Sequence, residues 1–466
     1  MIAILKREWK SYFQNITGWL FIAAVLALYG LYFLAYNLRA GYPYVSYTLS
    51  AISFIMLIAV PILTMRSMAE ERHSRTDQLV LTAPVSLGKM VFGKFLAMVG
   101  VFTVAVAVIA VTPLVLAAFG TVPMGENYVA VLGFWLYGCT CIAVGMLASA
   151  LTESQVIAAV VAFAFLFLGY MMNSITGLIG DHLITKVLGA YDLYTPLQSF
   201  MSGCLDLTGV VYFASVTGLC LFLTCQCVQK RRWSMTTKKL TTGMFSVAMI
   251  VVGFAVAVAV NLVVKEMPSS WTAVDATSTK LYSLTDTTKD YVKNLSQDVT
   301  IYVLSSEKSA DSTLAETLQR YEDLSKHLKV VYKDPAKSPN FYQQYTDSAP
   351  SQNSMIVVSD ARSRVVDYSD VYEYSYDYST YSSSVDGYDA EGQLTSALQY
   401  VTKADSELPV IYEITGHGEN TLSGGFSEAV EKANMTVSQL TLLTEDAIPD
   451  DAAAIIINGS TSDFSE

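Results

Sequence analysis

The chain has 466 residues, 52% of them hydrophobic and only 15% charged, where a soluble globular protein carries about 25% charged residues. That balance argues against an ordinary soluble enzyme and equally against disorder. The net charge of −12 is two opposed halves: residues 1–264 hold 15 Lys+Arg and 9 Asp+Glu (net +6), and residues 265–466 hold 14 and 32 (net −18).

Seven apolar stretches, near 17–38, 48–65, 95–119, 128–151, 156–179, 210–228 and 244–264, are long enough to cross a bilayer core, which takes about 20 helical residues. None of them contains Asp, Glu, Lys, Arg or His. The first is too long for a cleavable signal peptide, and Trp19, Tyr29, Tyr32 and Phe33 stand where small residues would be needed. Charge-free spans disfavour an ion-coupled transporter or voltage sensor, which keep costly ionisable groups in the membrane for use. All six cysteines (Cys139, Cys141, Cys204, Cys220, Cys225, Cys227) fall in this half. They spell out neither a disulfide framework nor a zinc site, and Cys225 and Cys227, at the end of an apolar run, read as small buried thiols.

The loops orient the spans. The N-terminal tail, the segment after the second span, the turn after the fourth and the segment after the sixth share one side and carry 13 Lys+Arg, against Arg39 and Lys186 opposite. By the positive-inside rule that side is cytoplasmic. The seventh span then delivers residue 265 onward to the extracytoplasmic side of the cell membrane. Neither half has the basic surface that nucleic acid requires.

After the second span come Arg66, Glu70, Glu71, Arg72, His73 and Arg75, then Leu79, Val80 and Leu81, a turn at Ala83–Pro84, and Gly88-Lys89. This fits a short helix along the membrane surface, and equally a solvated loop with an incidental apolar patch. Glu70-Glu71, then Thr76-Asp77-Gln78-Leu79-Val80-Leu81-Thr82-Ala83-Pro84, then Gly93-Lys94-Phe95, resembles the segment of type 2 ABC export permeases in which a "GT-x-E-L-L-L-T-x-P" phrase follows the second span. Arg75 replaces the usual Gly and Gln78 the usual Glu. The resemblance implies that residues 1–233 form a six-span permease domain working as a homodimer or beside a second permease. It also implies that Glu70, Glu71, Arg75, Thr76, Asp77, Leu79, Leu81 and Pro84 couple it to an ATPase subunit. No Gly-x-x-x-x-Gly-Lys-Ser/Thr occurs, since Gly88-Lys89 is followed by Met. The chain therefore lacks the loop that cradles phosphates for hydrolysis. It is expected to be no enzyme and to bind no cofactor directly, with ATP acting through the partner.

Residues 234–265 read as a junction and the seventh span. Beyond it, Asp275, Thr277, Lys280, Tyr282, Ser283 and Leu284, and later Leu408-Pro-Val-Ile-Tyr-Glu-Ile-Thr-Gly416-His417-Gly418-Glu419, resemble phrases of the auxiliary component of gliding-motility-type ABC systems. The resemblance implies a fusion of permease and auxiliary protein, with 266–466 as the extracytoplasmic part. Those relatives are longer and usually end in a further span, so a C-terminal truncation at Glu466 is an expectation. From the residues alone, 299–304, 328–332, 355–358, 409–414, 437–443 and 453–457 are short β-type runs. Stretches 286–295, 312–327, 390–403 and 425–434 have helical spacing. The fold class expected is a polytopic α-helical membrane domain followed by an α/β domain, with near-continuous apolar strands such as 453–457 covered on both faces.

Two features of this half could bind something. His417 and Glu419 follow a strand and precede a helix, where open α/β sheets bind ligands. They could act as a base or hold a metal, or simply make a glycine turn whose side chains bond nearby loops. Tyr372, Tyr374, Tyr376 and Tyr378 alternate with polar residues, so a strand would line one face with rings. That face suits sugars or a protein partner, or packs as an edge strand on its own sheet. Two functions are carried forward: the permease subunit of an ABC-type exporter, with membrane lipid around it and an outer domain that gates or handles cargo, and a membrane-anchored surface scaffold without transport.

Overall fold

The computed structural model describes residues 2–76, 86–179, 189–229, 239–265, 267, 272–276, 283–307, 309–377, 382–403, 408–422, 424–441 and 447–462. The chain forms two compact units, Met1–Tyr282 and Ser283–Glu466.

The first unit is helical: α1 Ile2–Gln14, α2 Ile16–Phe33, α3 Val45–Thr64, α4 Arg66–His73, α5 Leu87–Ile109, α6 Thr112–Ala117, α7 Met124–Leu151, α8 Gln155–Ile179, α9 Thr195–Met201, α10 Leu207–Gln229 and α11 Lys239–Lys265. Seven helical stretches are long and apolar enough to cross a membrane. The centre of the bundle is α7, which packs against α3, α5, α8, α9 and α10. Phe134 and Tyr137 are fully buried there. At Gly133 a Cβ would collide with Phe200 of α9, so this glycine lets the short helix seat against the bundle, as small residues do in membrane interfaces. Two buried asparagines hold the connection between α2 and α3: Asn37 donates to the Tyr42 and Tyr44 carbonyls, and Asn127 Oδ1 accepts from Val45 N at 2.7 Å. With few waters to satisfy backbone groups, side-chain amides substitute.

The cysteines are free thiols, with Cys139, Cys141, Cys204 and Cys220 buried. The last helix, α11, packs on α10 and is pinned by Asn261 Nδ2 donating to Ser215 Oγ at 2.7 Å. Beyond it, β2 (Ala273–Asp275) pairs antiparallel with β1 (Cys204–Asp206), so residues 272–276 belong to the first unit.

The helix that carries the third apolar stretch starts before residue 95: α5 begins at Leu87 after an extended Ser86, and Lys94 lies two turns inside it, 2% exposed. Met90, Lys94 and Met98 share one helical face, so the lysine falls where its neighbours are core.

Among the described residues the second unit holds two larger sheets and a two-stranded one. In the first, ordered β4-β3-β5-β6, β3 (Val299–Val303) pairs parallel with β4 (Leu328–Tyr332) and antiparallel with β5 (Met355–Val358). The edge strand is β6 (Ser363–Val366). Val299, Ile301 and Val303 alternate into a core shared with α12 (Asp286–Lys293), α13 (Ser312–Leu324) and α14 (Ala390–Thr402). A hairpin, β7 (Tyr372–Asp377) with β8 (Ser382–Tyr388), follows β6. The second sheet, β10-β9-β11, is parallel: β9 Val410–Ile414, α15 Gly425–Lys432, β10 Thr436–Leu440, β11 Ala452–Ile456. Polytopic helices followed by an α/β unit is the fold class expected.

The expectation of a strand covered on both faces is corrected. β11 stands at a sheet edge, and Ala453, Ala454 and Ile455 are exposed. The run is apolar in composition, but three of its five residues are alanines, which gain little from burial.

Candidate functional site

The main concentration of interacting charge in the first unit surrounds α4. This helix continues α3 after a break at Met65, and its first turn has backbone N–H groups without intrahelical partners. Ser149 of α7 supplies them: its Oγ accepts from Met68 N and Ala69 N, both at 3.1 Å, and donates to Met65 O at 3.0 Å. Ser149 reaches that position because Gly145, one turn earlier, lets α7 close on α3, where a Cβ would strike Thr64. The favour is returned at the end of α7. Arg72 of α4 donates through Nη1 to the carbonyls of Ala150 (3.1 Å) and Thr152 (2.7 Å), and Nη2 reaches Glu153 at 3.3 Å. Each helix caps the other, so α4 and the end of α7 are fastened as one piece.

Charge ties in two further elements. Lys94 Nζ of α5 lies 2.7 Å from Glu71 Oε2, donates to Ser67 O at 2.7 Å, and stands 3.9 Å from Glu8 of α1. Arg7 of α1 reaches Glu71 at 3.2 Å and also pairs with Glu8. The hydrogen bond and charge of Glu8, with the charge of Glu71, hold the Arg7 guanidinium above its ordinary pKa. Arg66 grips Glu70 through two hydrogen bonds, 2.7 and 2.8 Å, and donates to Thr17 Oγ1 of α2 at 3.1 Å. Unpaired, a lysine so deeply buried would be strongly disfavoured. Here its ammonium lies between the Glu71 and Glu8 carboxylates and the Ser67 carbonyl.

The expected coupling residues divide. Glu70 and Glu71 sit in this network. Arg75 and Thr76 lie at its exposed tip with His73 and Ser74. Arg75 adopts φ +56°, the left-handed region that favours glycine, and its N–H donates to Arg72 O at 3.1 Å. The backbone here keeps the turn that glycine would make at lower cost. The hydroxyls of Ser74 and Thr76 bond each other at 2.9 Å, and Ser74 donates to Glu70 O at 2.9 Å, closing the last turn of α4. Asp77, Leu79, Leu81 and Pro84 lie outside the described residues. Sequence reasoning missed α1, Arg72, Lys94, Ser149 and Glu8 as members of the site. The start of α5 at Ser86-Leu87, with Met90, Val91 and Lys94 at helical spacing, was the signal for Lys94.

In the second unit, His417 and Glu419 do meet: Nδ1 lies 3.3 Å from Oε1, and both side chains are almost wholly buried. Glu419 Oε2 accepts from His417 N at 2.7 Å. Burial opposes its ionisation, but the Glu419 and His417 N–H groups and the imidazole outweigh that and hold the carboxyl below its ordinary range. Gly416 and Gly418 have φ of 116° and 80°, and Thr461 packs against Gly418 so closely that a Cβ would collide. Thr461 N and Ser462 N both donate to His417 O. Glu413, also buried, accepts from Leu422 N at 2.6 Å. The His417 carbonyl thus ties the loop after β9 to the loop after β11. Among the described residues no group of three or more His, Cys, Asp or Glu is placed to hold a metal.

Of the four alternating tyrosines, Tyr372 is half-buried against the core of its unit, and its OH donates to Asp311 Oδ1 at 3.1 Å, beside Tyr368 OH on Oδ2 at 3.2 Å. Asp311 also caps α13 through Leu314 N at 2.8 Å. Burial and then the Asp311 charge push the Tyr372 phenol far above its usual pKa. At Tyr372 the ring packs on its own unit, the alternative to a partner-binding face. The backbone of Tyr374 and Tyr376 belongs to β7, after a bulge between Glu373 and Tyr374. Tyr378, and the side chains of Tyr374 and Tyr376, lie outside the described residues.

Residues 39–228 match a family model described as ABC-2 family transporter protein, and residues 278–370 match a domain of unknown function, DUF7088. No curated protein matches the chain, and no solved structure matches it. The first match begins at the end of the first candidate span, contains α4 and closes near the end of α10. With seven candidate spans, it supports a multi-pass membrane permease of the ABC-2 type.

Proposed function

We propose that the chain is the permease subunit of an ABC-type exporter, powered by a separate ATPase that engages the tip of α4 and the segment following it. The family match over residues 39–228 and the absence of a phosphate-binding loop from the sequence support this division of labour. The observation that carries the reading is the fastening of α4. Lys94–Glu71 ties it to α5, and the Ser149 and Arg72 caps tie it to α7. A push on the exposed turn His73–Thr76 is thereby delivered to two spans at once.

In this reading residues 1–233 are the permease, residues 234–265 the junction and seventh span, and residues 266–466 an extracytoplasmic domain that gates or hands over cargo. The system is of the gliding-motility type, its auxiliary component fused to the permease, with ATP consumed only by the partner. Two permeases, a homodimer or a pair with a second chain, form the path across the cell membrane. The α4 end of the bundle and the N-terminus are cytoplasmic. Glu70, Glu71, Arg75, Thr76, Asp77, Leu79, Leu81 and Pro84 form the contact with the ATPase.

The test is co-purification with a candidate ABC ATPase and measurement of vanadate-sensitive hydrolysis. The complex is expected to form and to lose stimulated hydrolysis with Glu71→Arg or Leu79→Arg. A chain that binds no ATPase, and whose outer unit captures a surface polymer regardless of those changes, is the scaffold instead.

A further inference from the structure

The N-terminal helix α1 has a surface that the coupling network does not use. At 3.6 residues per turn, Ile4, Leu5, Glu8 and Tyr12 form its inner side and are partly buried. Ile2, Trp9 and Phe13 fall along the next strip. Ile2 is 75% exposed and Trp9 38%. Lys6 and Lys10, four residues apart and both exposed, occupy the strip beyond. An apolar edge running beside a cationic one is the pattern of a helix lying in a bilayer interface.

Two more observations point the same way. The rings of Trp9, Phe13 and Trp19 form a chain, with centroids 5.2 and 5.4 Å apart. Trp19 stands in the first turn of α2 and is 57% exposed. Tryptophans collect at the headgroup level, and this group puts α1 at the level where the first span leaves the lipid. The cations of the neighbourhood also divide sharply. Arg7, Arg66, Arg72 and Lys94 each have a carboxylate, whereas Lys6 and Lys10 pair with none among the described residues. They are the two positive charges of this helix left for an outside anion.

We infer that α1 is a docking surface for anionic phospholipid headgroups, with Lys6 and Lys10 meeting the phosphates and Ile2 resting in the acyl boundary beside Trp9, whose indole packs on Gly100 of α5. The occupant is lipid because the cationic strip adjoins an exposed apolar one, which a soluble phosphate would leave in water. This holds whichever partner engages α4, so failure of the ATPase reading leaves it standing.

The full chain is purified in detergent and titrated with phosphatidylglycerol and, separately, with phosphatidylcholine, bound lipid being counted by native mass spectrometry. Phosphatidylglycerol is expected to bind more tightly, by about five-fold for each lysine engaged, and to lose that advantage in 0.5 M salt. Lys6→Gln/Lys10→Gln is expected to bring the two lipids together, and Lys6→Arg/Lys10→Arg to keep them apart. Equal affinity of the two lipids for the unaltered chain overturns the inference. So does a preference that survives in the glutamine variant while its melting temperature matches the arginine variant's.

Discussion

Lys94 Nζ, two turns inside an apolar helix, lies 2.7 Å from Glu71 Oε2 on a different helix, and its ammonium is almost wholly sealed from solvent. Taking Glu71 away leaves the buried Lys94 ammonium with no carboxylate nearer than Glu8 at 3.9 Å, at a cost of roughly 3–5 kcal/mol, whereas Glu71 keeps Arg7 when Lys94 is removed. Glu71→Leu is therefore expected to lower the melting temperature of the detergent-solubilised protein sharply. Lys94→Met combined with Glu71→Leu should recover most of the loss, since removing both charges also removes the desolvation penalty. A single variant that melts like the parent would falsify the buried pair.

The Ser149 hydroxyl serves three backbone groups at the junction of α3 and α4. Ser149→Ala orphans two N–H groups and is expected to cost about 1–2 kcal/mol. Hydrogen exchange localises the damage: the amides of Met68 and Ala69 should exchange faster, with those in the middle of α7 unchanged. Uniform acceleration would point to a general loss of packing instead.

At Arg75 the side chain is exposed and the backbone left-handed. A left-handed conformation costs a non-glycine residue roughly 1–2 kcal/mol. Arg75→Gly should thus be neutral to stabilising in a thermal melt, and Arg75→Val, branched at Cβ, should be clearly destabilising. The opposite ranking would mean that the arginine side chain itself holds the turn.

Asp367 gives the second unit an acid-sensitive joint. Burial opposes its charge, yet the N–H groups of Ser369 and Ser351 and the Ser351 and Ser369 hydroxyls outweigh that and hold the carboxyl well below its ordinary range. A carboxylate whose pKa falls on folding adds stability above its unfolded value of about 3.9. That stability is lost as pH drops through and below that value. Segment 351–369 should lose exchange protection as pH falls below about 4. In Asp367→Asn it should be weaker at neutral pH and nearly flat across the acid range.

Much of this molecule can be read from the order of its residues. The spans announce themselves because lipid demands about twenty apolar residues in a row. The short β-runs near Val299, Met355 and Val410 announce themselves because β-branched residues cluster between turn formers. The segment Arg66–His73 could be singled out by charge next to apolar runs. What stayed hidden depends on distant partners. Nothing near Lys94 in sequence says that Glu71 waits across an interhelical gap, or that Ser149 lies 80 residues from the amide it caps. The tyrosines near 372 show the opposite case. Their alternation is a local signal, whereas the ring of Tyr372 is claimed by Asp311, 61 residues away. Polar contacts that close a site obey geometry that no short-range spacing records.

The ribbon of β1 and β2 also decides where tension would travel. Because residues 273–275 are stitched to residues 204–206, and Ala276 N donates to Gly203 O, the first unit holds the chain well past Lys265, where the last helix stops. A tug from the C-terminal side first loads β1, the strand between the short helix Thr195–Met201 and the sixth span. Only if those few rungs unzip would the strain reach the seventh.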